Sequence, residues 1–397
     1  MKVFVWLVLV LATLEMGNTL AENEYGLCVQ TRFEGNLLIE WIEYHALIGF
    51  SNFYLYIYPF DLMFPEEKAV MNDIIRPYIS PTKTEKNARL ELGIPLPHVK
   101  IMFQNQSAVS HAHRQGMSMQ DCFNRFSSEN EWLGFFDVDE FFVPNNLLVP
   151  TMPEENLYKG IIKQVIEKSD YFSNVDAIAI TWTLMGPSHP YNKIDQARPN
   201  DSLLTSVVTQ QVDISKGHYD EIYPRYKILV HTRNDNRLQK YCDFSCEKPN
   251  SWSHNCFCEK PILKKNKMVF SREKHLHTTV VDAQAHRYNS AMRSSVGNVP
   301  DADATSSFYL LHYYWKTCHE NYYSDTPRRR FKLSERFKNV QNIPKWVRYR
   351  ISNDTCEDIS TKSIPEPMSF LERITPMLQR LVNLHPAWGK NMTISLP

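Results

Sequence analysis

The first half of the chain alternates short aromatic or β-branched runs with longer stretches whose apolar residues recur at helical spacing. Leu27 to Gln30 predicts a strand. Beyond it Leu37, Trp41, Tyr44 and Ile48 repeat every three to four positions, and Gly49 stands where a left-handed C-cap belongs. Phe53 to Tyr58 then reads as an aromatic strand. Strand, helix and strand within about thirty residues form a unit that implies parallel pairing. Val99 to Phe103 adds a strand and Ser110 to Phe126 a helix. Leu133 to Phe136 is a continuous apolar run, the pattern of a strand buried on both faces. A helix over Leu157 to Lys168 and a strand over Ala177 to Thr183 continue the alternation. The expected class is α/β, a mixed, mainly parallel sheet flanked by helices.

The second half is less regular. Trp182 to His189 ends a strand in a turn, and residues 187–202 are polar and contain proline, as a loop would. Residues 234–258 read as a cysteine-stapled insertion. Lys260 to Phe270 returns to a strand-like pattern, and Leu310 to Lys316 is dense in apolar and aromatic residues. Arg328 to Lys332 is a basic run of the kind usually found on a solvated helix face. Met368 to Leu384 predicts a terminal amphipathic helix, with a kink expected at Pro376. This organises the chain as an N-terminal segment (1–21), one large domain (25–335) and a C-terminal helical extension (336–397).

The N-terminus places the 12-residue apolar run Val3 to Leu14 behind Met1-Lys2. A bilayer span needs about 20 residues, and Thr19-Leu20-Ala21 offers small residues for cleavage, so a signal peptide is favoured over a signal anchor. Sequons at Asn105, Asn200, Asn353 and Asn391 agree with entry into the secretory pathway, with the Golgi lumen or membrane as the expected location. In that setting the eight cysteines are disulfide candidates. Cys242, Cys246, Cys256 and Cys258 are expected to form two local disulfides rather than a zinc knuckle; Cys28, Cys122, Cys318 and Cys356 are scattered, and for Cys28 and Cys122 buried thiols are the alternative to a disulfide. With 44 basic and 44 acidic side chains there is no electrostatic footprint for nucleic acid.

The candidate chemistry sits at Asp137-Val-Asp139-Glu140, directly after the buried run. The carboxyl end of a strand in an open α/β sheet faces the ligand crevice. Three acids there repel one another unless a cation lies among them, and oxygen-rich sites suit Mg²⁺ or Mn²⁺. Asp137 and Asp139 are therefore candidates to hold a divalent ion that holds a diphosphate. The bland alternative is a capped strand-to-helix turn with solvated acids. No Gly-x-Gly-x-x-Gly or Walker loop is present, which leaves a metal as the natural way to hold a diphosphate.

These residues, taken in order, resemble glycosyltransferase family 92, formerly domain of unknown function 23. The resemblance is carried by Cys28, Glu34, Glu40-Trp41, His45 and Gly49. It continues through Gln115, Asp121-Cys122, Trp132, Asp137-Val-Asp139-Glu140-Phe141 and Pro144, then Trp182, Gly186 and Ser188. Lys260-x-Ile262 with His275 or His277 and His312-Tyr313 with Lys316 close it, over residues 25 to 335. The cysteine cluster is extra to the family pattern. The resemblance implies a GT-A-like, Rossmann-related fold, a UDP-sugar donor with UDP-galactose as best guess, a glycan acceptor, Mn²⁺ or Mg²⁺, and an inverting hexosyl transfer.

The roles it implies can be placed residue by residue. Arg32, Glu34, Gln115, Asp121, Asp137, Lys260 and Lys316 are donor-binding candidates. Asp139 is the first choice for a direct metal ligand, with Asp137 in contact directly or through water and His277 or His312 completing the shell. Glu140 is free in this reading to face away and orient a basic residue. Trp182, Gly186, Ser188 and His189 are acceptor-site candidates, an indole face suiting the apolar face of a sugar. The general base is sought among Asp213, Asp220 and Glu221. Two rivals stand beside this reading: a secreted non-catalytic binding protein on the same fold, and a haloacid-dehalogenase-like phosphatase with Asp137 as nucleophile.

Overall fold

The structure, a computed structural model, describes residues 25–31, 34–57, 65–103, 111–144, 160–167, 177–186, 198–212, 226–232, 268–270, 308–313, 361–363 and 365–390. The expected N-terminal signal or anchor (1–21) and the cysteine-rich insertion (234–258) lie outside them. Among the described residues no helix is long and apolar enough to cross a membrane.

β1 (Tyr25–Thr31), α1 (Asn36–Ile48) and β2 (Asn52–Ile57) form the predicted unit, with β1 and β2 parallel. Gly49 ends α1 at φ 117°, and a Cβ there would come within 2.7 Å of Gly160 Cα, so glycine answers both a backbone and a packing demand. Two helices not read from the sequence, α2 (Pro65–Ile79) and α3 (Lys83–Glu91), lead to β3 (His98–Phe103), parallel to β2. α2 buries Met71, Ile74, Ile75 and Tyr78 at helical spacing, whereas α3 is mostly polar and depends on a Thr82–Glu85 capping box for its start. α4 (His111–Phe126) then leads to β4 (Trp132–Phe135), which pairs parallel to β1.

Here the structure departs from the bland expectation of a strand-to-helix turn. Glu140 N–H donates to the Asp137 carbonyl (3.0 Å), closing a tight turn, and the chain enters another strand, β5 (Glu140–Pro144). α5 (Ile161–Glu167) follows, then β6 (Ala177–Gly186), which runs three residues past its expected end. Short strands β7 (Gln210–Val212), β9 (Met268–Phe270) and β11 (Thr361–Ser363) and the longer β8 (Tyr226–His231) and β10 (Phe308–His312) complete the described sheet. Its order is β11-β7-β6-β8-β4-β1-β2-β3, with β10 bridging β5 and β6 and β9 beside β6. This is the expected mixed sheet with flanking helices, consistent with a GT-A-like fold. The last helix, α6 (Pro365–Asn383), passes through Pro376 and buries Phe370, Leu371, Ile374 and Leu378 in the same core as α1.

The free edge of β5 is closed by side chains. Trp41 Nε1 donates to the Glu140 carbonyl (2.8 Å), Tyr44 OH to the Phe142 carbonyl (2.8 Å), and Phe142 N–H to His45 Nε2 (3.3 Å). An α1 face thus satisfies polar groups that a buried edge would leave orphaned. His45 Nδ1 donates to the Trp41 carbonyl (2.8 Å), so the ring works only when neutral, and burial lowers its pKa from 6.5 to about 3. The unfolded chain therefore binds a proton that the native state refuses as pH falls below 6.5. At pH 5 this removes about 2 kcal/mol of stability relative to neutral pH. Denaturant melts should show the stability gap between wild type and His45→Gln narrowing by about that amount between pH 7.5 and 5. A constant gap would remove the assigned protonation state.

Cys28 and Cys122, both disulfide candidates, are bonded to each other between β1 and α4, which removes the alternative of two buried thiols. The pairing was hidden in sequence by its separation of 94 residues; only the packing of α4 across β1 brings the two together. A loop of that size makes the bond worth about 2–5 kcal/mol. A Cys28→Ala/Cys122→Ala variant should show that loss in urea melts; a drop under about 1 kcal/mol would mean the packing alone holds α4.

Candidate active site

The strand directions place the candidate residues. β4 is antiparallel to β8 and β8 to β6, so β4 and β6 run the same way, and β10 is parallel to β6. The carboxyl ends of β1, β4, β6 and β10 therefore open on one side of the sheet, together with the amino end of β8. Asp137 and Asp139 follow β4, Glu34 follows β1, Gly186 ends β6, His312 ends β10, and Lys227 stands second in β8.

At the turn after β4 the carboxylates are tightly engaged. Asp137 Oδ1 accepts from Gln115 Nε2 on α4 (2.5 Å), and Asp137 Oδ2 from Lys227 Nζ (2.7 Å). Glu140 Oε2 accepts the Asp137 N–H (2.7 Å) and lies 3.3 Å from Lys227 Nζ. Glu140 has thus turned inward, orienting a basic residue. Tyr313 N–H donates to the Asp139 carbonyl (2.8 Å), and the Asp139 carboxylate lies 3.6 Å from His312 Nε2. Asp137 and Asp139 keep about a quarter of their side chains exposed, at 26% and 27%, whereas Lys227 and Glu140 are sealed.

Burial and charge compete here. Burial pushes the Glu140 carboxyl up to about 7, against the pull of Lys227. For Lys227 and His312 burial works toward the neutral form, but the carboxylates outweigh it and both are raised: Asp137 and Glu140 for the lysine, Asp139 first for the histidine.

Of the predicted site residues, the structure brings together Gln115, Asp137, Asp139 and His312. Gln115 acts on Asp137. Asp121 lies six residues, about 9 Å, further along α4, where it accepts from Tyr56 OH (2.6 Å) and pairs with Arg125 (3.3 Å). That ties α4 to β2 and gives Asp121 a scaffold role in this structure. Glu34 stands before α1, its carbonyl accepting the Leu37 N–H (3.1 Å). Trp182 pairs with Leu310 and buried Gly186 with Gln210, which carries the end of β6 past His312. Arg32, Ser188, His189, Asp213, Asp220, Glu221, Lys260, His277 and Lys316 lie outside the described residues.

Sequence reasoning missed Lys227. Its signal was a lysine inside Tyr226-Lys-Ile-Leu-Val-His231, an otherwise apolar run where a cation needs a buried partner. It also left Glu40 without a role. That buried carboxylate accepts from Leu204 N–H (2.7 Å), Thr205 N–H (2.9 Å) and Thr205 Oγ1 (2.7 Å), with Arg198 at 3.8 Å. It pins the chain between β6 and β7 onto α1.

A divalent ion fits this arrangement at Asp139 and His312. A carboxylate about a quarter exposed and an imidazole 3.6 Å from it are donor types that Mn²⁺ accepts. Both Asp137 oxygens already have donors, and the described residues hold no group of three or more metal-binding side chains. Such an ion would draw its remaining ligands from water and substrate phosphate, as Mg²⁺ commonly does.

The fold and the acidic turn at the carboxyl end of β4 define a class: α/β proteins with a mixed, mainly parallel sheet and acidic groups gathered where parallel strands end. The chain belongs to glycosyltransferase family 92, whose pattern it matches over residues 23–359. A glycosyltransferase family 92 protein of Ricinus communis is 26% identical over 155 residues, a stretch covering 38% of this chain and 22% of the plant protein. The chain thus spans under a quarter of the length of that curated relative.

Proposed function

We propose that the protein is a metal-dependent inverting hexosyltransferase that moves galactose from UDP-galactose to a glycan in the lumen of the secretory pathway. The observation carrying this reading is the Asp139–His312 pair at the end of β4, in a chain of glycosyltransferase family 92. A cation bound there would offset the charge that grows on the departing nucleoside diphosphate.

The chain's own residues supply the rest. Asp139 and His312 hold the cation, while Gln115 and Lys227 keep Asp137 beside it. Glu34 and Arg32 would contact the nucleoside. Gly186 and the residues after it, Ser188 and His189, form the acceptor side with Trp182, and a carboxylate among Asp213, Asp220 and Glu221 takes the acceptor hydroxyl proton. The Cys28–Cys122 disulfide agrees with an oxidising compartment.

The test is incubation of the purified protein with Mn²⁺ and a panel of UDP-sugars, with and without glycan acceptors. Sugar transfer or donor hydrolysis supports the proposal, and the preferred donor identifies the hexose. Cleavage of simple phosphate esters instead would make it a phosphatase, and neither activity would leave a binding protein.

A further inference from the structure

Lys227 is a buried cation at the heart of the site that no sequence motif marks. Its side chain is 2% exposed, and its strand is held on both sides, by β4 and β6, with Lys227 itself opposite Ile180. An ammonium so placed is tolerated only beside opposite charge. It finds that in Asp137 Oδ2 (2.7 Å) and Glu140 Oε2 (3.3 Å), and Glu140 is itself fixed by the Asp137 N–H. The second Asp137 oxygen is held by Gln115. A divalent ion touching Asp137 would share its carboxylate with this ammonium, and two cations would repel across roughly 4–5 Å in a poorly solvated pocket.

We propose that Lys227 is a positioning residue that divides the two aspartates between different tasks. It holds Asp137 as a charge-paired carboxylate outside the cation's inner sphere and leaves direct contact to Asp139. The inference rests on the cation reading of the site given above and deepens it. With Asp137 withheld, the described residues offer few donors, so the cation binds well only together with a nucleoside diphosphate. A counter-intuitive consequence follows: removing Lys227 releases Asp137 and strengthens cation binding by the empty protein.

The experiment measures Mn²⁺ affinity of the full chain by the electron paramagnetic resonance of free Mn²⁺, with and without UDP. It compares wild type with Asp137→Asn, Asp139→Asn, Lys227→Met and Lys227→Arg. UDP should tighten wild-type binding by about tenfold or more. Asp139→Asn should weaken it by about tenfold or more, and Asp137→Asn by less than about threefold. Lys227→Met should tighten UDP-free binding by about threefold or more, and Lys227→Arg, which keeps the charge, should not.

Equal losses in Asp137→Asn and Asp139→Asn, or no gain in Lys227→Met, would overturn the division of tasks while leaving a cation site intact. Absence of Mn²⁺ binding in every form, with UDP present, would overturn the cation reading and this inference with it. Should Lys227→Met fail to fold, as judged by circular dichroism, the comparison of the two isosteric aspartate variants decides the matter.

Discussion

Asp139→Asn lowers sugar transfer by at least about 100-fold and leaves the fold in place. The magnitude is that of removing one electrostatic group aimed at developing charge in a shielded site, roughly 10²–10³. The substitution keeps the size of the side chain and removes only its charge. The backbone role survives, because Tyr313 N–H donates to the residue 139 carbonyl rather than to its carboxylate. The carboxylate is 27% exposed, so its ion pair with His312 contributes at most about 1 kcal/mol. The loss should therefore fall on kcat with the melting temperature within a few degrees of wild type. The measurement is steady-state kinetics with the donor found by screening, beside a thermal melt. Retained activity would move the reacting centre away from the end of β4.

Arg89→Met destabilises the protein by about 3–5 kcal/mol, the usual cost of stripping one partner from a buried ion pair. Arg89 on α3 is bonded to Glu43 on α1, and their side chains are 6% and 1% exposed. Tyr78 OH, on α2, donates to the same Glu43 oxygen (2.9 Å), so one carboxylate ties three helices together. Without the guanidinium, Glu43 keeps a single hydroxyl donor for a charge that water cannot reach. Glu43→Met/Arg89→Met removes both charges and should recover most of the loss, since apolar replacements of buried pairs are commonly neutral. Urea denaturation of the two singles and the double gives the coupling. A cost below about 1 kcal/mol for Arg89→Met would show that the pair is solvated in solution. Activity per folded molecule should not change, because the pair touches nothing at the end of β4.

The sequence reading was strongest where burial imposes a period. The α1 face Leu37, Trp41, Tyr44 and Ile48 with Gly49 behind it, and the apolar run before Asp137, were legible because one buried surface constrains every third or fourth residue, or every residue of a central strand. α2 and α3 were not read. α2 has the period in Met71, Ile74, Ile75 and Tyr78 but carries Pro77, α3 is mostly polar, and the charge of Arg89 is buried only because Glu43 meets it from another helix. The Cys28–Cys122 bond was equally silent, its partners 94 residues apart.

By itself, the sequence determined that this is an α/β chain whose acids crowd the end of a buried strand, because hydrophobic period and local turn chemistry are properties of neighbours along the chain. Only the tertiary structure decided which acid does what. Lys227 reaches Asp137 from 90 residues away and His312 reaches Asp139 from a strand near the other end of the chain. The partner that fixes a buried charge is chosen by the sheet's strand order, and no spacing in the sequence encodes that order.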